Sequence, residues 1–225
     1  MAPPAGDTLL SALPGALAAD LFRQGRATTL EPNQALFLAG DPGDGCYRVD
    51  EGLLKVSVIA PSGAERILAI LGPGAILGEL SMVDGGPRSA SATAIRGAKL
   101  TFVSRASFDA FAKAHPEVYR HITTLLARRL RDIDESLAAA SFLPLKGRVA
   151  RALLSLADAF GKDVGSGRIL VHQKVSQSDL AAMAGIAREN VSRILQDWTR
   201  SALISRLGGY YCLENAAALK REATI

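Results

Sequence analysis

Residues 78–90 read GELSMVDGGPRSA, and this stretch decides how the first half of the chain folds. It places a lone acid, Glu79, directly after a glycine. Two further glycines and Pro87 then precede Arg88, which is followed by two small residues. Because glycine and proline are the strongest local turn signals, the stretch predicts a tight turn that aims Arg88 in one direction.

The residues around this stretch alternate short β-type runs with turn signals, from about residue 29 to residue 104. Runs such as 53–59 (LLKVSVI) and 66–71 (RILAIL) carry the aliphatic and β-branched residues typical of strands. The turn signals lie at residues 40–43, 50–52, 61–63, 72–74 and 84–87. Turns at this regular spacing predict an antiparallel sandwich or barrel.

A long helix is predicted after the β-rich region, because helix formers replace glycines from Ser107 to Phe142. Its seam recurs at alternating steps of four and three residues, at Tyr119, Thr123, Leu126, Leu130, Ile133, Leu137 and Ala140. A heptad in a helix longer than about 25 residues predicts a coiled-coil dimer. The alternative is an amphipathic helix that lies on its own domain.

The composition is that of a globular chain with an uneven charge. Of its 225 residues 48% are hydrophobic, which is enough for one large or two ordinary domains. Residues 1–144 carry 14 basic and 15 acidic side chains, whereas residues 145–225 carry 12 and 7. The positive last third is typical of a domain that faces nucleic acid, and a solvated basic face is the alternative.

Neither a membrane nor an oxidising compartment is indicated. No apolar run approaches the roughly 20 residues of a membrane span. The N-terminal stretch MAPPAGDTLL lacks the basic and apolar segments of a signal peptide. Cys46 and Cys212 lie far apart, which predicts two unrelated thiols rather than a disulfide, a zinc site or an iron–sulfur cluster. We therefore expect a cytoplasmic protein without a metal.

The last third predicts a helix-turn-helix. Ser176 is a candidate N-cap for a helix over 177–183, and a glycine-containing turn at 184–186 separates it from a second helix that ends near Arg200. On that second helix the apolar side chains share one face, namely Val191, Ile194, Leu195 and Trp198. One face is therefore expected to pack, and the other is free to contact a partner.

The opposite face of this second helix carries Arg188, Glu189, Ser192 and Arg193. Arg donates two bonds to guanine and Glu accepts from cytosine, as a helix in the major groove requires near its N-terminus. The alternative is a solvated, salt-bridged surface. Gly208-Gly209 predicts a hairpin after the helix, a wing whose Arg206 tracks phosphates, and this favours DNA binding.

Residues 175–180 (VSQSDL) and 185–195 (GIARENVSRIL) resemble the winged helix-turn-helix of the catabolite activator and fumarate-nitrate regulator superfamily of bacterial transcription factors. The resemblance implies an inverted repeat of TGTGA-like half-sites. It implies base-reading roles for Arg188, Glu189 and Arg193, with Ser192 as a further contact. Ser176, Gln177 and Arg206 are further expected DNA contacts. Ala187 departs from the family, where a capping Ser or Thr is common, so the recognition helix is expected to start less firmly.

The first half resembles the β-roll of this superfamily, and residues 78–90 resemble the phosphate-binding cassette of its cyclic-nucleotide domains. A cyclic phosphodiester suits an Arg fork with backbone N–H groups, and Glu79 then accepts from the ribose 2′-OH. The expected contacts are Gly78, Glu79, Leu80, Arg88, Ser89 and Ala90. The alternatives are an exposed Glu79–Arg88 ion pair in an ordinary turn, or a pocket of this fold that binds no nucleotide.

The long helix is expected to contact the base. In the resemblance, alignment through residues 127–130 places Ile133 and Asp134 where the catabolite activator has two hydroxyl residues, so this sequence departs from the cyclic-AMP pattern. Arg129 is a further expected nucleotide contact. An ionised Asp134 only accepts, and guanine presents two adjacent donors, so cyclic GMP is slightly preferred over cyclic AMP. The alternative for Asp134 is a surface acid paired with Arg129 or Arg131.

Together these features predict an α+β chain in three parts. Residues 1–112 form an N-terminal helix and an antiparallel β-roll of the cyclic-nucleotide-binding type, residues 113–143 a long dimerisation helix, and residues 144–225 a winged helix-turn-helix. We expect a homodimer that binds double-stranded DNA and swings its DNA-binding domains about residues 142–144. RNA polymerase is the expected partner of an activator, and no membrane contact is expected.

Other functions remain as alternatives. A haem sensor is disfavoured because His115, His121 and His172 all lie outside the β-roll. No catalytic triad is visible, so an enzyme is not expected. The remaining alternatives are a nucleotide-independent regulator of the same superfamily, and a cyclic-nucleotide regulatory subunit that acts on a partner protein.

Overall fold

The computed structural model describes residues 14–224 of the chain. The MAPPAGDTLL stretch, on which the argument against a signal peptide depends, lies outside the described residues. The chain folds into two compact units, and the division falls between Leu130 and Arg131, inside the long helix. Within residues 14–224 no helix is both long enough and apolar enough to cross a membrane.

The first unit is an antiparallel β-roll with helices at its ends. Its elements are α1 (Gly15–Phe22), β1 (Arg26–Leu30), β2 (Ala35–Phe37), β3 (Gly45–Ile59), β4 (Glu65–Leu71), β5 (Ile76–Leu77), α2 (Glu79–Asp84), β6 (Ser91–Ser104), α3 (Arg105–Ala114) and, up to Leu130, the first part of α4 (Glu117–Phe142). The strand order is β1-β6-β3-β4, with β2 paired to β6 and β5 paired to β3. The prediction of an antiparallel β-roll is confirmed.

Two long strands organise this roll. β3 pairs along nearly its whole length with β6, and the register shifts between Val49 and Glu51 and again near Leu53. Such irregularities bend a strand, and this lets one sheet curl around its core. That core holds Val49, Leu54, Leu71, Leu77, Leu100 and Leu125, so the start of α4 packs on the roll.

The second unit is a helical domain with a small sheet. After the end of α4 it contains α5 (Leu145–Phe160), β7 (Gly161–Asp163), β8 (Ile169–Val171), α6 (Gln177–Ala184), α7 (Arg188–Arg200), β9 (Ile204–Leu207), β10 (Tyr210–Leu213) and α8 (Ala216–Glu222). Its antiparallel sheet has the order β7-β8-β10-β9. The predicted hairpin is β9–β10, with Gly208 and Gly209 both at positive φ, as a two-residue turn of this type requires.

The start of the long helix differs from the prediction. The helical stretch after Ser107 is broken at His115-Pro116, so the long helix begins at Glu117, because a proline disfavours helical backbone in the residue before it. Directly after α5, Gly161–Asp163 forms a strand that pairs with β8. The domain divisions after residues 112 and 143 stay predictions.

Candidate functional site

The cassette begins at a glycine that the geometry requires. Gly78 caps α2 with φ of 80°, in the left-handed region that favours glycine. A Cβ at Gly78 would lie 2.4 Å from Arg88 Nη1. At the other end of the helix Gly85 is also left-handed, and Asp84 accepts a hydrogen bond of 2.8 Å from the Gly86 N–H. The glycines of the quoted stretch therefore turn the chain sharply at both ends of α2.

Arg88 is buried, with only 4% of its surface exposed. Its Nη1 donates to the carbonyl oxygens of Gly45 (2.8 Å) and Gly78 (2.9 Å). Its Nη2 donates to Asp44 Oδ1 at 3.2 Å, and the Asp44 side chain is 71% exposed. Arg88 Nε is buried and has no hydrogen-bond partner among the described residues. One edge of the guanidinium thus holds the fold together, while the Nε–Nη2 edge faces only an exposed carboxylate.

Glu79 is the most deeply buried acid of the cassette, with 1% of its surface exposed. Its Oε1 accepts from Arg129 Nη1 of α4, and Arg129 Nη2 donates to the Ile76 carbonyl at 3.0 Å. Glu79 Oε2 is buried and lacks a partner within residues 14–224. A buried carboxylate oxygen without a donor is costly, so this atom is suited to a ligand hydroxyl.

The structure brings some predicted nucleotide contacts together and separates others. Glu79 and Arg129 are paired, whereas Glu79 and Arg88 are not paired with each other. The alternative of an exposed Glu79–Arg88 ion pair is therefore wrong. Leu80 and Ser89 are exposed and Ala90 is buried. Ile133 and Asp134 are exposed on the part of α4 that belongs to the second unit.

The alternative role of Asp134 is that of a surface acid paired with Arg129 or Arg131. Arg129 pairs with Glu79 instead. Among residues 14–224 no basic group lies within ion-pairing distance of the Asp134 carboxylate. Its acceptor oxygens are therefore open to a donor from outside the described chain.

Three further residues around Arg88 were missed by sequence reasoning. The Arg88 guanidinium carbon lies 4.5 Å from the ring centroid of Phe37 and 5.9 Å from that of Tyr47. Asp44 is the third, through its contact with Nη2. No local pattern marks these residues, because strand pairing and loop packing bring them to Arg88 from about 40 or more positions away in sequence.

The cysteines offer no reactive site. Burial, with the nearby Glu79 carboxylate, raises the pKa of the Cys46 thiol to about 12. Burial likewise raises the pKa of Cys212. Both thiols are free, in agreement with two unrelated cysteines. Over residues 14–224 no three His, Cys, Asp or Glu side chains are grouped so as to hold a metal.

The helix-turn-helix of the second unit is sharply defined. Ser176 caps α6 by accepting from the Asp179 N–H at 3.0 Å, and Asp179 Oδ2 accepts from the Ser176 N–H at 3.2 Å. This is a capping box, so the predicted cap at Ser176 is confirmed. Gly185 ends the helix in the left-handed conformation. α7 starts at Arg188 without any side-chain cap from Ala187.

Replacement of Ser176 by alanine is expected to destabilise the second unit. The capping box satisfies two backbone donors, and its loss costs about 1 kcal/mol, or about 4–8 °C of thermal midpoint for a small domain. Ser178→Ala, two positions further on, is the matched control and should leave the midpoint unchanged. Differential scanning calorimetry checks both, and equal midpoints for the two variants would contradict the capping role.

The two faces of α7 are separated as the sequence predicts. Val191, Ile194, Leu195 and Trp198 are buried. Arg188, Glu189 and Arg193 are exposed, Ser192 is half-buried, and Arg193 Nη2 donates to Asn190 Oδ1. At the start of α6 Ser176 is exposed and Gln177 half-buried, while Arg206 is exposed on β9. An exposed polar face on a well-packed helix is what a base-reading helix needs.

These two units define a class of protein: a regulator that joins a ligand-binding β-roll to a winged helix-turn-helix. A family model described as the cyclic nucleotide-binding domain matches residues 27–115. A second, described as the Crp-like helix-turn-helix domain, matches residues 147–222. The chain belongs to the CRP family of transcriptional regulators.

Similarity to known proteins extends over most of the chain. A "CRP-like cAMP-activated global transcriptional regulator" of Mycobacterium tuberculosis is 34% identical over 210 residues, which cover 93% of each chain. The "Cyclic AMP receptor protein" of Thermus thermophilus is 37% identical over 187 residues, which cover 83% of this chain and 82% of the relative. A solved CRP-family regulator, also from Thermus thermophilus, has a TM-score of 0.71 and 28% identity, over 87% of this chain and 96% of that one.

The family models and the relatives establish the general function. The chain is a transcriptional regulator that combines a cyclic nucleotide-binding domain with a DNA-binding helix-turn-helix. Since its relatives are regulators, the expectation that it is not an enzyme is confirmed.

Proposed function

We propose that the protein is a homodimer that binds an inverted repeat of TGTGA-like sites in response to a purine cyclic nucleotide. The observation that carries this proposal is a pair of buried atoms without partners among the described residues, Arg88 Nε and Glu79 Oε2. A cyclic nucleotide supplies what each lacks, since its phosphate accepts a hydrogen bond and its ribose 2′-OH donates one. The further predicted contacts are Gly78, Leu80, Ser89, Ala90 and Arg129.

A second copy of the chain is the proposed occupant of the exposed seam of α4. Tyr119, Leu130, Ile133 and Leu137 are exposed by 49%, 60%, 62% and 67%. They lie at heptad positions on a helix of 26 residues. The same helix of a second copy buries such a seam by knobs-into-holes packing, and a two-fold axis makes the contact self-complementary.

The nucleotide is proposed to act by shifting an equilibrium between two arrangements of the dimer. It does so only through contacts that are stronger in the arrangement that binds DNA. Residues 142–144 are the proposed hinge, at which Pro144 precedes α5 with φ of −64°. Recognition helices about 34 Å apart then match successive major grooves.

Whether the nucleotide carries adenine or guanine can be tested directly. The names of the relatives favour cyclic AMP, whereas the open acceptors of Asp134 favour cyclic GMP. Isothermal titration with both nucleotides should compare the wild type with Asp134→Asn. We predict tighter binding of cyclic GMP and a loss of about 3–10-fold of that preference in the variant.

The neighbouring Glu135→Gln is the control for this titration, because Glu135 pairs with Arg151 at 2.9 Å. It should bind both nucleotides as the wild type does. If all three proteins bound cyclic AMP more tightly than cyclic GMP, Asp134 would have no role in base recognition. The assignment of residues 78–90 as the phosphate-binding cassette would be unaffected.

DNA binding is tested with a labelled duplex that carries two inverted TGTGA half-sites. Fluorescence anisotropy should give tight binding with the nucleotide and weak binding without it. Equal affinity in both conditions would favour the nucleotide-independent regulator. No retention in either condition, together with nucleotide binding, would favour a regulatory subunit that acts on a partner protein. A cytoplasmic location is part of the proposal, and so is RNA polymerase as a partner if the protein activates transcription.

A further inference from the structure

An aromatic ring covers one face of the Arg88 guanidinium. The guanidinium carbon lies over the ring of Phe37, 4.5 Å from the ring centroid. A cation over an aromatic face is attracted by the quadrupole of the ring, and the attraction is strongest where water is excluded. Arg88 is only 4% exposed, so this contact is largely shielded from water. Phe37 therefore restrains the guanidinium through its face, whereas hydrogen bonds restrain it through its edges.

The hydrogen bonds of Arg88 leave the direction of its Nε–Nη2 edge loosely defined. The bonds to the carbonyl groups of Gly45 and Gly78 both meet at Nη1. The bond from Nη2 goes to Asp44, whose side chain is largely exposed, and exposed ion pairs contribute little. A hydrogen bond bends by about 30° before it weakens steeply. A preorganised site holds its donors within about 10–20°, so the face contact with Phe37 supplies a restraint that the bonds lack.

Two further rings hold Phe37 in place. The ring centroid of Tyr47 lies 6.1 Å from that of Phe37, and the centroid of Phe102 lies 4.8 Å from that of Tyr47. Tyr47 and Phe102 are directly opposite each other in the β3–β6 pair, and cross-strand aromatic pairs stabilise a sheet. We call Phe37, Tyr47 and Phe102 the aromatic row. Phe37 and Tyr47 also pack against the core of the β-roll, so the fold fixes the ring that faces Arg88.

The far end of the aromatic row supports a second contact of Arg88. A Cβ at Gly45 would lie 2.8 Å from Cε2 of Phe102, so this ring packs closely on the backbone of Gly45. The carbonyl oxygen of Gly45 accepts the 2.8 Å hydrogen bond from Arg88 Nη1. The three rings therefore support both the face of the guanidinium and one of the carbonyl groups at its corner.

We propose that the aromatic row is a positioning element for nucleotide binding, because Phe37 holds the Nε–Nη2 edge of Arg88 toward the phosphate site before the ligand arrives. This inference rests on the proposed function, in which Arg88 binds the cyclic phosphate. Order that is present in the free protein need not be created on binding, and preorganisation raises affinity for this reason. Phe37 thus acts through Arg88 and not through a contact of its own with the ligand.

The test replaces Phe37 by leucine and by tyrosine in the full chain. Phe37→Leu keeps an apolar side chain and removes the ring face, whereas Phe37→Tyr keeps the ring face. Phe111→Leu is the matched control, because Phe111 is also half-buried in the first unit and its ring stacks on His115 instead of Arg88. Thermal midpoints are measured first, and the nucleotide titrations are carried out well below them.

We expect Phe37→Leu to weaken the binding of cyclic AMP and cyclic GMP alike, by about tenfold, since both carry the same phosphate. Phe37→Tyr and Phe111→Leu should bind as the wild type does. Isothermal titration measures these affinities, and the Arg88→Lys background completes a double-mutant cycle. In that background Phe37→Leu should have little further effect, because the guanidinium that the ring positions is absent.

A second readout needs no nucleotide. In ¹⁵N-labelled protein the Arg88 Nε–H signal is identified by its loss in Arg88→Lys. The ring current of Phe37 shields protons that lie over its face, so this signal should move downfield in Phe37→Leu. It should stay in place in Phe37→Tyr and Phe111→Leu.

Equal losses of affinity from Phe37→Leu in both backgrounds would overturn the proposal, because they would show general damage to the cassette. Wild-type affinity of Phe37→Leu would overturn it as well, even with a shifted Arg88 signal. If the wild type binds neither nucleotide, the proposed function fails and the Arg88 signal decides the inference. A downfield shift in Phe37→Leu would then support the positioning of Arg88 by the ring, and an unmoved signal would refute it.

Discussion

Arg88→Lys is expected to weaken cyclic-nucleotide binding about 100-fold, although it keeps the positive charge of the cassette. The Nε–Nη2 edge of Arg88 offers two parallel donors to a phosphate, and lysine offers a single point charge. Loss of a pair of charge-assisted hydrogen bonds costs about 3 kcal/mol, which corresponds to a factor of about 100 or more. Isothermal titration of the variant with both cyclic nucleotides measures this loss.

Asp44→Asn complements Arg88→Lys, because it is expected to strengthen cyclic-nucleotide binding and not to weaken it. Asp44 places a carboxylate 3.2 Å from Arg88 Nη2, where an incoming phosphate competes with it. Its side chain is largely exposed, so the ion pair contributes little to stability. Removal of this charge should tighten nucleotide binding about 3–10-fold.

The interpretation of Arg88→Lys requires a check on folding, because Arg88 also bonds the carbonyl oxygens of Gly45 and Gly78. We expect a lower thermal midpoint, so titrations belong well below the unfolding transition. A folded Arg88→Lys variant with wild-type nucleotide affinity would show that Arg88 is a purely structural residue. An Asp44→Asn variant with weaker affinity would place Asp44 among the ligand contacts.

Leu137→Glu is expected to convert the proposed dimer into a monomer. Leu137 is 67% exposed in the single chain, more than Tyr119, Leu130 or Ile133 of the same seam. In a symmetric dimer the change acts twice. Each copy loses about 1.5–3 kcal/mol of apolar burial and places a charge in the interface. The dimer dissociation constant should therefore rise about 1,000-fold or more.

Analytical ultracentrifugation at micromolar concentration measures this change, and duplex binding provides a second readout. Binding to the inverted repeat should fall steeply, because a monomer reaches one half-site only. Ser136→Glu adds the same charge at the neighbouring exposed position outside the seam, and should remain dimeric. A dimeric mass for Leu137→Glu would show that the seam of α4 is not the interface.

Leu137→Glu and Arg88→Lys also distinguish the parts of the proposed function. Leu137→Glu should retain the Arg88–Glu79 cassette and thus much of its affinity for the nucleotide phosphate. Arg88→Lys should retain the dimer and lose the response to the nucleotide. Suppose that Leu137→Glu lost only dimerisation and Arg88→Lys lost only nucleotide binding. The ligand contacts and the dimer contact would then be separate features of one chain.

The sequence by itself determined the features that depend on neighbouring residues. The glycines and proline around Arg88 predict the turns of the cassette, and the side-chain periodicity of α7 predicts its buried and exposed faces. The cap at Ser176 and the turn at Gly208-Gly209 follow from equally local rules. Such rules act over a few residues of backbone, so a linear pattern contains them in full.

Only the tertiary structure decided how distant residues combine. Arg88 bonds Gly45, 43 residues away, and Glu79 pairs with Arg129, 50 residues away. The buried hydroxyl of Tyr211, which has no partner within residues 14–224, is likewise invisible in sequence, because a tyrosine in a strand usually packs and finds a partner. Strand register and burial decide which polar atoms meet and which remain unpaired. Two of these unpaired atoms, Arg88 Nε and Glu79 Oε2, lie in the cassette and support the proposed nucleotide site.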